Sequence, residues 1–245
     1  MVAEYDAIAR DYQRTKDTPL RRHVEGYSFF RMLGDVTGQR VLDLACGEGF
    51  YTRRLKQAGA AAVTGVDISP AMIALARDIE RETPLGINYL CGDVATLPDL
   101  GSFDTVSAAY LLHYAPDAQV LQAMCARIAA QLQPGGRLVA INENPDQVLH
   151  DYAGYTRYGF NKSADGPLID GTPIHYAMVS GRKLIRFSAF YYSRATYEAA
   201  LHAAGFVNVR WVPLALSPDG VAEMGEDYWE EYLRNPPVTG LECWR

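Results

Sequence analysis

Apolar positions along the chain follow two rhythms, short unbroken runs and longer stretches with helical spacing. The runs at 40–44, 62–66, 87–91, 103–109 and 136–142 read as buried strands. Between them, 50–58, 70–82 and 117–132 read as helices with one apolar face. Ser69-Pro70 gives one helix an N-cap and a first-turn proline, and Pro134-Gly135-Gly136 stops another. Residues 3–14 and about 19–33 predict two N-terminal helices, the second opened by Pro19. The pattern breaks over 144–180. It resumes with a strand over Lys183 to Tyr191, a helix over 194–204 ended by Gly205, and a strand over 206–213. Strand–helix alternation predicts an α/β fold with parallel strands and right-handed crossovers. The chain is then one domain in four stretches: N-terminal helices (1–36), an α/β core (37–143), an insert (144–180) and a closing segment (181–245).

The first strand carries the chemistry. Val41-Leu42-Asp43-Leu44 runs into Ala45-Cys46-Gly47-Glu48-Gly49, and a helix starts at Phe50. A strand, a glycine turn and a helix start aim backbone N–H groups at a ligand that comes close. The second strand ends at Asp67, roughly 20 residues on, where an acidic side chain accepts from ribose hydroxyls. A nucleoside-containing cofactor follows. A dinucleotide fingerprint needs a third glycine, and Thr52 stands there instead.

Five ordered landmarks from Arg40 to Ile141 resemble the class I S-adenosylmethionine (SAM) methyltransferases: Asp43-Leu44-Ala45-Cys46-Gly47-Glu48-Gly49, Val66-Asp67-Ile68-Ser69-Pro70-Ala71-Met72, Cys91-Gly92-Asp93-Val94, Phe103 to Tyr110, and Leu132 to Leu138. The resemblance implies a Rossmann-like, mostly parallel seven-stranded sheet with helices on both faces, N-terminal helices and a cap insert. The tail would supply the closing strand pair. It also implies site roles. Asp43 reaches the methionine amino end of SAM, and Ala45, Cys46, Gly47 and Gly49 form the close-approach loop. Asp67 takes the ribose hydroxyls, Ile68 and Met72 cover the adenine, and Asp93 with Val94 meets its amino group. Ala109 and Tyr110 lie beside the methyl donor. Tyr12 and Arg22, on the N-terminal helices, fold over the cofactor, with Arg22 near its carboxylate.

Composition narrows the partners. The chain has 23 Lys+Arg against 29 Asp+Glu, a net charge of −6, and no basic run, which argues against nucleic acid. The four cysteines lack metal-ligand spacing, and no apolar run is long enough for a bilayer. The expected setting is a reducing cytoplasm, with the chain a monomer or homodimer and no metal. The insert is rich in aromatics (Tyr152, Tyr155, Tyr158, Phe160 and Tyr176) and reads as a cap over a small-molecule acceptor.

A sulfonium methyl is already activated, so alignment supplies most of the catalysis, about 7–11 kcal/mol. A base matters only where the acceptor must lose a proton. His113, just past the fourth strand, is the candidate base; Tyr110 and Glu143 are its companions on the rim, and His23, His175 and Tyr191 are weaker alternatives. Tyr5-Asp6-Ala7-Ile8-Ala9, Gly159-Phe160-Asn161-Lys162 and Asn235-Pro236-Pro237-Val238 further resemble the toxoflavin-synthase-like small-molecule subgroup. That resemblance implies a planar heterocyclic or phenolic acceptor, methylated at N or O, in bacterial secondary metabolism. The competing readings are a SAM-binding protein with non-methylating chemistry and a nucleotide-dependent oxidoreductase.

Overall fold

The computed structural model describes residues 18–181 and 183–245. The five core strands form where the apolar runs stand: β1 (Arg40–Leu44), β2 (Ala62–Asp67), β3 (Asn88–Cys91), β4 (Phe103–Ala109) and β5 (Leu132–Glu143). They join β10 (Val238–Trp244) and β9 (Val207–Val212) in a seven-stranded sheet of order β3-β2-β1-β4-β5-β10-β9. The β1–β2, β1–β4, β2–β3 and β4–β5 pairs are parallel, and β10 runs antiparallel to both neighbours.

Helices cover both faces, as the near-continuous apolar strands require. On one face α1 (Gly26–Leu33), α2 (Phe50–Gln57) and α3 (Pro70–Glu82) bury Phe29, Leu33, Leu55, Met72 and Ile73. On the other, α4 (Ala118–Gln131) and α5 (Arg194–Ala203) bury Leu121, Ile128, Tyr197 and Leu201. The Ser69 hydroxyl caps α3 by accepting from Met72 N–H at 3.2 Å, with Pro70 in its first turn. The helix expected over 19–33 is present, but Arg21–Glu25 is wound as a π-helix before α1. The helix read over 3–14 lies outside the described residues.

The closing segment departs from the sequence reading. β8 (Lys183–Phe190) does not enter the main sheet. It pairs with β7 (Pro173–Ser180), which pairs with β6 (Phe160–Ala164), in a separate antiparallel sheet. The insert therefore contributes two strands, β6 and β7, to a small sheet that runs past residue 180. Alternation along 183–190 identifies a strand but not its partner, and a tight turn at Gly181 hands it to β7. The seventh strand of the main sheet is β10, reached through α6 (Pro218–Met224) and α7 (Glu226–Arg234), none of which the pattern predicted. β10 is buried on both faces except at Trp244, so it lacks the alternation that marks a half-exposed strand.

Candidate active site

Two spaces meet at the carboxyl ends of β1, β2 and β4. The first is a cleft of about 400 Å³ lined by Ala45, Gly47, Asp67, Ile68, Asp93 and Tyr110, among others. Its floor is the glycine turn. Ala45 and Gly47 both have left-handed φ (54° and 57°), which curls the chain so that its backbone faces the cleft. Gly49, at φ 84°, opens α2, and a Cβ there would lie 2.2 Å from the Tyr89 hydroxyl. Asp67 ties this loop to β2: its carboxylate accepts from Gly47 N–H at 2.8 Å and Ser69 N–H at 2.9 Å. Each carboxylate oxygen has more than one lone pair, so Asp67 retains capacity toward a ligand in the cleft. Asp93 likewise accepts from Ala95 N–H at 2.9 Å and lines the same cleft.

Asp43 and Cys46 stand behind the loop. The two-residue period of β1 turns Asp43 toward α2, where Thr52 donates to it at 2.6 Å. Ser107, its register partner on β4, donates at 2.7 Å, and Asp43 is 2% exposed. Cys46 is buried, and burial pushes its thiol well above the ordinary range, followed by the nearby Asp67 and Asp43 charges. Arg22 is exposed and reaches Glu223 at 3.5 Å rather than the cleft. Tyr12 lies outside the described residues.

The second space adjoins the first through Tyr110 and Tyr114, which line both. It is a cavity of about 60 Å³ walled by Tyr158, Phe160, Tyr176 and Phe187 of the cap, with His113, Arg21 and Glu25 on the core side. Tyr110 follows β4 in left-handed backbone geometry (φ 66°), an uncommon state for a large residue and a frequent mark of a functional turn. Its hydroxyl donates to Glu25, which also accepts from Tyr232 at 2.7 Å. Arg21 completes this cluster, 3.1 Å from Glu25 and stacked 4.2 Å from the Tyr110 ring. Burial raises the Tyr110 and Tyr232 hydroxyls well above their ordinary value, so both remain donors.

His113 and Glu143 lie together but differ in role. His113 is 3% exposed, and burial lowers its pKa, so the ring is neutral near pH 7. Glu143 ends β5 and is 1% exposed. Lys162 of β6 and Tyr176 of β7 both donate to its carboxylate, and Lys162 donates to Gln147 at 2.7 Å as well. The Lys162 ammonium lies 3.9 Å from the Tyr152 ring centre, and burial lowers its pKa against the opposing pull of Glu143. Glu143 is thus a buried tie between core and cap. His23 is bonded to Ser217 and Glu223, and His175 to Ser188 and Asp165.

Sequence reading did not single out Arg21, Glu25, Tyr232 or Gln147, and it quoted Lys162 without a role. The i,i+4 spacing of Arg21 and Glu25 was the one available signal, and it is shared by many solvent-exposed pairs.

The residues facing the cleft fit SAM. Asp67 and Asp93 offer acceptors for a ribose diol and an adenine amino group, Ile68 and Met72 an apolar wall, and Gly47 a side free of Cβ. Residues 41–136 match the family described as a methyltransferase domain. Over 213 residues the chain is 30% identical to an N-demethylindolmycin N-methyltransferase of Streptomyces griseus, covering 84% of this chain and 87% of that protein. It is 34% identical over 165 residues to a ubiquinone biosynthesis O-methyltransferase of Coxiella burnetii, 58% of this chain and 69% of that one. A SAM-dependent methyltransferase structure from Mesorhizobium loti superposes with TM-score 0.64 at 22% identity, covering 94% and 100% of the two chains. The oxidoreductase alternative falls away: the chain belongs to the class I SAM-dependent methyltransferases, and SAM is its cofactor.

Proposed function

We propose that this enzyme methylates a small planar acceptor, heterocyclic or phenolic, at nitrogen or oxygen. The observation that carries the reading is the aromatic lining of the space between core and cap, which shares Tyr110 and Tyr114 with the cofactor cleft; at about 60 Å³ it has to widen to admit a ring. SAM, when bound, supplies a methyl group already activated by the sulfonium charge. The chain's own residues then have two tasks, alignment and exclusion of water. Tyr158, Phe160, Tyr176 and Phe187 offer flat apolar faces to a ring. Arg21 and Glu25 neutralise each other beside Tyr110 and favour an uncharged ring over an ionic chain. His113 lines the same cavity with Arg21 and Glu25 and offers a neutral polar ring to the acceptor. The named activities of the two relatives, on a demethylindolmycin nitrogen and a ubiquinone precursor oxygen, support ring-bearing acceptors and leave both atom types open. A role in bacterial secondary metabolism belongs to the same proposal.

The test is a transfer assay with methyl-labelled SAM against matched panels of phenols, aza-heterocycles, aliphatic amines and RNA. Label appearing in phenols or heterocycles alone supports the reading. Label in RNA or aliphatic amines, or SAM bound with no transfer to any aromatic acceptor, overturns it.

A further inference from the structure

The bonds around His113 restrict what it presents to the acceptor. The β4–β5 ladder ends at Ala109 and Ile141, with Tyr110 N–H donating to Ile141 C=O at 2.8 Å. The left-handed turn at Tyr110 takes the chain away from β5 beyond that point. Glu143 N–H instead donates to His113 Nδ1 at 3.2 Å. A backbone N–H is donor only and cannot be reversed, so Nδ1 must carry its lone pair.

The second neighbour of Nδ1 is the Asn142 amide, with Oδ1 at 3.0 Å. An asparagine amide has nearly the same shape when its oxygen and nitrogen are exchanged, so its NH2 can face the ring as well as its carbonyl. The exchange gives up a 3.4 Å contact from Asn142 Nδ2 to Glu143 C=O and the contact of Nδ2 with Tyr197, whose hydroxyl can donate to the exchanged Oδ1 instead. Placing a proton on Nδ1 would instead leave the buried Glu143 N–H without an acceptor, a penalty of about 1–3 kcal/mol. The proton of the neutral ring therefore sits on Nε2.

The geometry points to His113 as a specificity-determining hydrogen-bond donor: its Nε2–H reads a lone pair on the acceptor ring, a carbonyl oxygen or an unprotonated ring nitrogen. This inference rests on the methyl-transfer reading of the site and sharpens its substrate class. Burial and the nearby Lys162 and Arg21 charges keep the ring neutral against the pull of Glu143 and of the Asn142 contact, while the Tyr110 and Tyr114 rings flank it. A ring of this tautomer has no lone pair toward the cavity, so it does not remove a proton from the acceptor. Acceptors that lose a proton before transfer, or that need not lose one, are the class selected.

Nuclear magnetic resonance of isotope-labelled histidine rings in the full chain at neutral pH tests this without any acceptor. The His113 signals are those missing from the His113→Gln spectrum, with fold retention checked by circular dichroism. A protonated Nε2 and bare Nδ1 is the expected result; a protonated Nδ1 overturns the inference. A second arm uses an aromatic acceptor from the transfer assay. Glutamine can place an amide donor near the Nε2 position but cannot act as a base. His113→Gln is expected to keep turnover within about tenfold while His113→Leu loses it, in line with one buried hydrogen bond. Equal loss in both overturns the donor role. Absence of transfer by the unaltered enzyme would count against the methylation reading, and the resonance result would stand separately.

Discussion

The cofactor cleft and the acceptor cavity share two tyrosines but are built in different ways. The cleft is made by turns that follow β1, β2, β3 and β4, each a short contiguous segment whose shape comes from its own backbone. The acceptor cavity is assembled by side chains far apart in sequence: Glu25 with Tyr232, 207 positions on, and Glu143 with Lys162 of the cap. One half is therefore fixed by local geometry and the other by buried polar ties. Mutations should separate them.

The largest expected effect is on stability, in the acceptor half. Lys162→Met leaves the Glu143 carboxylate buried without its cation and should cost about 3–5 kcal/mol, read by urea unfolding. Adding Glu143→Gln should restore much of that loss, because the amide is neutral. SAM affinity measured by calorimetry should barely change. An equal fall in affinity would show that the halves are not separable.

Gly49→Ala should do the opposite. It combines left-handed φ with a Cβ 2.2 Å from the Tyr89 hydroxyl, a strain of about 2–4 kcal/mol concentrated in the cofactor loop. SAM binding should be lost before global stability is. Tyr89→Phe, which removes the nearest atom, should recover part of it; no recovery would place the strain in the backbone alone.

Asp67→Ala should weaken SAM binding about 100-fold, the scale of losing charge-assisted hydrogen bonds, and should not shift any acceptor preference. A change in acceptor preference would mean that the cleft communicates with the cavity beyond Tyr110 and Tyr114.

The smallest effect is a slope with pH. Burial lowers the His113 pKa below its ordinary 6.5, so between those two values the unfolded chain holds more protons than the folded one. Stability should therefore decline as pH falls from 6.5 and level off below the folded pKa. His113→Gln should flatten that slope, as followed by thermal melts across pH; an unchanged slope would assign it to other groups.

The same contrast explains how far sequence reading reached. β1 to β5, the glycine turn, Asp67 and Asp93 stand where their patterns place them, because strand period and glycine turns are local. Lys183–Phe190 shows the limit: its strand character was plain, yet its partner is β7 rather than the closing pair. β10 escaped because burial on both faces removes alternation. Topology puts Glu143 at the end of β5, but only the folded chain shows it buried, with Lys162 and Tyr176 closing over it.

Sequence alone determined the α/β core, the cofactor-facing loop and the family, since backbone geometry and short-range spacing encode all three. Tertiary structure decided the cap sheet, the Arg21–Glu25–Tyr110–Tyr232 cluster and the tautomer of His113. Those depend on burial that makes each polar group find a partner, and the partner's position in the chain follows no period.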